Sequence, residues 1–242
     1  MTDLTECARR TGDPIARVGG AFMLDPATTE RGAVLGLDFA EWYGLGRGGV
    51  LGDVDADVVA AAFVWFSPAL IRAVWESARA KHSPQESATA YAEACRVWGR
   101  DHLGGLAGND ELAALLEPVV RGANPAGAPL FAGWRAMPLP DDAPARAMQL
   151  LHVLRELRGA LHAVAVLATG LSPLEALMVD HPEFASLYGW PEPYPDVEGH
   201  RAVHAEAVVV TDRLMEPTFA VLDDRQRSRL VALVEAAHAS LA

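Results

Sequence analysis

Lysine is all but missing from this 242-residue chain: Lys81 stands alone, and the other basic side chains are arginine. Acidic groups outnumber basic ones 32 to 20, for a formal charge of −12. That balance argues against a broad electrostatic grip on nucleic acid or on an anionic membrane. Cysteine is nearly absent as well. Cys7 and Cys95 lie far apart, form no CxxC pair, and read as two buried free thiols rather than a disulfide framework. No apolar run reaches the roughly 20 residues of a membrane span. The two richest, 58–66 and 160–171, fall short. The opening residues, MTDLTECARRTGD, are polar and have no apolar segment behind a basic cluster, so no secretory signal is expected. Together these features predict a soluble cytoplasmic protein with no membrane partner. Strand patterns are missing too: the closest period-2 run, 207–210, lies inside a helical pattern.

What is present is apolar mass. It makes up 51% of the residues, enough for a real core, which excludes a disordered chain. The clearest local signal is a repeated helix start. Asp13-Pro14, Asp25-Pro26, Ser67-Pro68, Ser83-Pro84 and Ser172-Pro173 each set a capping oxygen before a proline. The oxygen accepts from the orphan amides of the first turn, and proline needs no amide at the first helical position. Ser83 with Glu86 and Ser172 with Glu175 complete capping boxes.

Helices are expected over 26–43, 55–66, 68–81, 84–103 and 110–121, and from 142 or 143 to about 169. Shorter or later ones are expected over 173–179, 182–188, 198–214 and 224–241. The 55–66 helix is nearly all apolar and should be buried all round. Three stretches read as irregular: the glycine-rich 44–53, the loose connection 122–142, and the Pro- and aromatic-rich 188–199. The fold class is therefore all-α, a compact orthogonal bundle of roughly ten helices. It is either one domain over 1–242 or two packed subdomains, 1–122 and 143–242.

The longest helix carries unusual polar content. His152, Arg155, Glu156, Arg158 and His162 fall within eleven residues of an otherwise core-like sequence. At 100° per residue, Arg155, Gly159, His162 and Val166 share a face, and His152 and Glu156 form an i,i+4 pair. Gly159 in mid-helix costs about 1 kcal/mol against alanine, which often marks close approach by a ligand or another helix. Unpaired burial of such groups is costly, so they must pair, reach water or line a cavity.

One reading is a pocket for an anionic or aromatic small molecule. Arg155 and Arg158 would orient the anion, while Glu156 and His162 would act as acid/base groups. Arg47 would cover the site from its glycine loop, with His152 and Trp190 as further contacts. The plainer reading is an inter-helix salt-bridge network. Trp134, Tyr188, Trp190 and Tyr194 sit in or near loops, where they can wall a pocket or a homodimer interface. His200 and His204 have an i,i+4 spacing that suits a metal, but no HExxH glutamate accompanies them and no metal ligand is assigned. A haem or metal protein using His152, His162, His200 or His204 stands as one alternative; no cofactor is named by the residues.

The stretch HVLRELRGALHAVAVLATGLSPLEALMV resembles an actinobacterial family of helix-turn-helix-like proteins. The matching positions are Leu154, Arg155, Glu156, Arg158, Gly159, His162, Gly170, Leu171, Glu175, Ala176 and Leu177. Upstream GRGGVLGDVDADVVAAAFVWFSP and downstream TDRLMEPTFAVL resemble the family as well. The resemblance implies a fold rather than a reaction, and it opens a second alternative, a helix-turn-helix transcriptional regulator. Leu157 replaces the family's histidine, and the family's following helix and wing shrink here to the Pro-rich 188–199. For a regulator, the recognition helix would be 224–241, with Arg225, Arg227 and Arg229.

Overall fold

A computed structural model describes residues 2–241. Twelve α-helices and four short 3-10 turns make up the regular structure, with no strand among the described residues. The helices are α1 (Leu4–Ala21), α2 (Pro26–Val34), α3 (Phe39–Gly48), α4 (Ala56–Ala62), α5 (Pro68–Arg79) and α6 (Pro84–Leu103). They continue as α7 (Asn109–Gly122), α8 (Pro129–Ala136), α9 (Ala143–Ala168), α10 (Pro173–Asp180), α11 (Arg201–Met215) and α12 (Asp224–Ala239). The all-α expectation holds.

Most of the capping logic holds at the level of individual bonds. Asp25 accepts from Ala27, Ser83 from Glu86 and Asp142 from Ala145. Ser172 and Glu175 form a full capping box. Two starts differ. Pro14 lies inside α1, which Asp3 caps well upstream. There the continuous buried face of Cys7, Ala8, Thr11, Ile15 and Val18 outweighs the hydrogen bond that a proline removes. Ser67 heads α5 without a side-chain cap; its amide instead donates to the Tyr188 carbonyl at 2.8 Å, tying α5 to the 188–190 segment.

The expected 26–43 helix is two helices. Gly36 takes φ +73°, and Asp38 with Glu41 opens α3 through a capping box that the sequence reading missed. The 44–53 stretch is not a loop: α3 runs through three glycines to Gly48, followed by a 3-10 turn over Gly49–Leu51. The glycines serve contact here. A Cβ on Gly46 would sit 2.5 Å from the Tyr91 ring, and one on Gly49 2.0 Å from the Pro84 carbonyl oxygen. The connection at 122–142 contains α8, and 182–188 holds only a 3-10 turn over Pro182–Phe184. Helix α4 buries Ala56, Val59 and Ala60 but leaves Val58 half exposed, so it is not buried all round.

Helix α9 is the axis of the molecule. It packs against α1, α6, α7, α8 and α11, while α3 bridges α5 and α6. One contiguous buried cluster runs from Cys7 in α1 to Ala237 in α12. No single described helix is long and apolar enough to cross a membrane. Between α9 and α10 the chain turns through 107° over Thr169–Ser172, with Gly170 at φ +88°. Two helices at that angle joined by a short glycine-bearing turn make a helix-turn-helix unit.

Candidate functional site

Helix α9 delivers its polar residues to both sides of its own wall. Glu156 is buried, and Arg47 reaches it from α3 in a two-point grip. Nε donates to Oε1 at 2.9 Å and Nη2 to Oε2 at 2.8 Å. The third nitrogen of Arg47 donates to the Tyr43 hydroxyl at 3.1 Å. The guanidinium lies 4.5 Å from the centre of the Phe63 ring, a cation–π contact, and Trp134 Nε1 donates to the Arg47 carbonyl. Arg155 then adds a third bond to the same carboxylate, Nη1 to Oε1 at 2.8 Å.

Electrostatics follow from this geometry. Burial alone would push the Glu156 carboxyl up, but Arg47 and Arg155 outweigh it and hold it down at about 2. Burial likewise opposes the charge on Arg47, yet the facing Glu156 keeps its pKa above the ordinary value. Two cations thus share one anion. Among the described residues Arg155 has no ion-pair partner other than Glu156.

His152 lies behind this wall, fully buried. Its Nδ1 donates to the Gly19 carbonyl at 3.0 Å, and its ring meets Trp134 edge-on. Its Nε2 stands 3.9 Å from Glu156, too far for the hydrogen bond expected of the i,i+4 pair. Among the described residues that atom has no partner, and neither does the buried Tyr91 hydroxyl. Burial pushes His152 down to about 4.

On the open side of α9 lies a cavity of about 530 Å³. Arg47, Arg155 and Arg158 line one part and His162 and His204 another. Aromatic walls come from Tyr43, Trp65, Phe66 and Tyr188. Gly159 lies between Arg155 and His162 along α9, and a Cβ built there meets nothing within 4 Å. The hollow beside Gly159 that the sequence raises is therefore present. Arg158 donates to Asp212 of α11 at 3.3 Å, while its Nε is buried without a partner among the described residues.

His162 bonds Thr211 of α11 through Nδ1 at 2.9 Å and lies beside Trp65, with ring centres 5.3 Å apart. Burial and then Arg158 push it down to about 4. Trp190 does not line the cavity; its Nε1 donates to the Trp65 carbonyl at 2.9 Å and so fixes the wall from behind.

The structure thus brings Arg47, Arg155, Glu156, Arg158 and His162 onto one cavity and sets His152 and Trp190 behind its walls. Sequence reasoning missed Tyr43 and Thr211. Tyr43 stands one helical turn before Arg47, a relation hidden once the glycine run is read as a loop. Thr211 donates to the Ala207 carbonyl four residues back, a habit of threonine in helix interiors that leaves no distinctive pattern. Among the described residues no three His, Cys, Asp or Glu side chains converge to hold a metal ion.

The helix-turn-helix unit borders this cavity. Ala176, Leu177 and Asp180 of α10 belong to its wall. Helix α10 reads PLEALMVD, with no arginine, lysine, asparagine or glutamine. On α12, Arg227 is buried on the Thr2 and Leu222 carbonyls and Arg229 is paired with Glu111. The model of the helix-turn-helix family matches residues 8–195. That stretch holds Arg47 and the whole α9–α10 unit and stops before α11, which supplies His204 and Thr211. No curated protein and no solved structure matches the chain.

Proposed function

This chain belongs to the helix-turn-helix family, and we propose that it uses that architecture to bind a small anionic molecule. The observation that carries the reading is the shared carboxylate. Arg47 and Arg155 divide one buried Glu156, which leaves a positive charge at the wall of an open cavity in a chain of net charge −12. A cation held in a low-dielectric wall attracts an anion more strongly than the same group in water. The aromatic walls favour a planar ligand.

Roles follow from the geometry. Arg155, with unpaired nitrogens and partial exposure, meets the anion, with Arg158 in support. Glu156 was expected to move a proton; held at about 2 by two cations, it is assigned instead to fixing Arg47 and Arg155. His162 contacts the ligand as a neutral ring, and His152 packs the wall without touching it. The test is thermal unfolding with benzoate and cinnamate. At a hundredfold excess over Kd the midpoint should rise by roughly 5 °C or more. Arg155→Met should remove that rise while the ligand-free midpoint moves little. No rise with any aromatic acid in the unaltered protein would overturn the reading.

Family membership favours a second reading, a DNA-binding regulator. It requires donors on the helix that enters the groove. Helix α10 has none, and two of the three arginines of α12 are consumed within the fold. The expected result is no retarded complex with duplex DNA at about 50 mM salt, where non-specific contacts are strongest. A complex whose affinity falls steeply with added salt would restore the regulator.

A further inference from the structure

Resting on the anion-site reading above, we propose that the ligand is an aromatic acid bearing a phenolic hydroxyl. Its carboxylate meets Arg155, and its hydroxyl donates to Nε2 of His162.

The argument starts from a proton count. The Thr211 hydroxyl has one hydrogen, and it is spent on the Ala207 carbonyl at 2.7 Å. Thr211 Oγ1 can therefore only accept from His162, 2.9 Å away. So Nδ1 carries the ring proton, and Nε2 is left as a bare acceptor. No protein donor reaches Nε2 among the described residues, and the ring lines the cavity. Arg158 and the buried His204 lie close enough to disfavour a charged imidazole, and only Asp180 pulls the other way. At neutral pH the ring stays neutral, and Nε2 accepts rather than donates. In the free protein Nε2 faces the cavity, where water can donate to it; an aromatic acid that displaces that water without bringing a hydroxyl would leave the acceptor unpaired.

The spacing sets the length of the ligand. Arg155 and His162 are seven residues apart on one face of α9, roughly 10 Å along its axis. Between them Gly159 presents bare backbone to open space. A rigid planar body can lie there with its two polar ends on the two side chains. Trp65 lies at the His162 end, and Tyr43, Phe66 and Tyr188 complete the walls. A phenol keeps its proton at neutral pH, having a pKa near 10, so it remains a donor. Thr211 acts as a positioning residue: it never touches the ligand but fixes which nitrogen faces it.

The test compares three probes by calorimetry at pH 7.5: 4-hydroxycinnamate, cinnamate and 4-hydroxycinnamyl alcohol. In the unaltered protein the hydroxy acid should bind about tenfold more tightly than cinnamate, the worth of one well-placed hydrogen bond. The alcohol, lacking the carboxylate, should bind more weakly than either acid. Thr211→Val is nearly isosteric and frees the tautomer; His162→Phe keeps the ring contact with Trp65 and removes the acceptor. Both should collapse the preference for the hydroxy acid, a ratio that a general loss of stability would not move; Thr211→Val, at a residue that never touches the ligand, should also leave cinnamate affinity within about twofold. Equal affinities for the two acids in the unaltered protein would overturn this inference and leave the anion site standing. So would a preference that survives both substitutions. Failure of both acids to bind would overturn the inference and the anion site together.

Discussion

Replacing Glu156 by glutamine should destabilise the protein by about 3–5 kcal/mol, the cost of removing one partner from a buried ion pair. The amide keeps the shape of the side chain and loses its charge. Arg47, 9% exposed at its side chain, would then be a buried cation with no anion in reach. Its Nε and Nη2 would face an amide able to satisfy one of them at best. A double replacement, Glu156→Leu with Arg47→Met, should recover most of the loss, because paired hydrophobes of similar volume stand in well for a buried pair. Urea denaturation of the unaltered protein and the two variants measures both effects. A loss under about 1 kcal/mol in the single variant is what an exposed pair gives, and would contradict the near-complete burial of the carboxylate.

Acid should reveal the same cluster. The folded protein holds the Glu156 carboxyl at about 2 against an ordinary 4.5, and His152 at about 4 against 6.5. Both values are depressed by folding, so as pH falls the unfolded chain takes up protons first. The stability each group contributes is whole above its unfolded value and is lost on the way down to its folded one. His152 governs the window from about 6.5 to 4, with His162 acting in the same direction. For His152 alone the change is on the order of 3 kcal/mol. Glu156 shares the window from 4.5 to about 2 with Glu41, which the Lys81 ammonium and the Ser77 hydroxyl hold down. Glu156→Gln should flatten part of the lower limb of the stability profile and stretch the upper limb to lower pH, because the Glu156 charge is what holds the His152 pKa up against burial.

The parts of this site that repeat at helical spacing were legible in the sequence. Arg155, Gly159 and His162 share a face because 3.6-residue geometry is local, and the length of α9 follows from its Asp142 cap and the glycine at 170. The partners were not legible. Arg47 meets Glu156 across 109 residues and His162 meets Thr211 across 49, and spacing carries no information about contacts that the fold alone creates. The glycine run misled for a related reason. Glycine disfavours helix interiors in isolation, but here Tyr91 and the Pro84 backbone press so close that no other residue fits, and packing overrides propensity. Pro14 shows the same override with the opposite residue.

Substituting Gly159 separates stability from binding. Gly159→Ala should stabilise the protein by about 0.5–1 kcal/mol, since alanine is the better helix former and its methyl meets only open space. Gly159→Leu should fold as well, because leucine is also a strong helix former and its Cβ meets nothing within 4 Å at the edge of the cavity. That side chain would stand in the cavity between Arg155 and His162, where a ligand spanning the two must lie. Displacing it, or bending the ligand round it, costs about 1–3 kcal/mol or more, so aromatic-acid affinity should drop by up to roughly a hundredfold. A general loss of folding does not explain a variant that folds as well as the unaltered protein and yet binds far more weakly. Arg155 also borders a shallow cleft on its other side, lined by Gly20, Leu24 and His238. Undiminished cinnamate binding by Gly159→Leu, still abolished by Arg155→Met, would move the anion to that cleft, because the two linings share Arg155, with Ala16 the other common residue and no charge of its own.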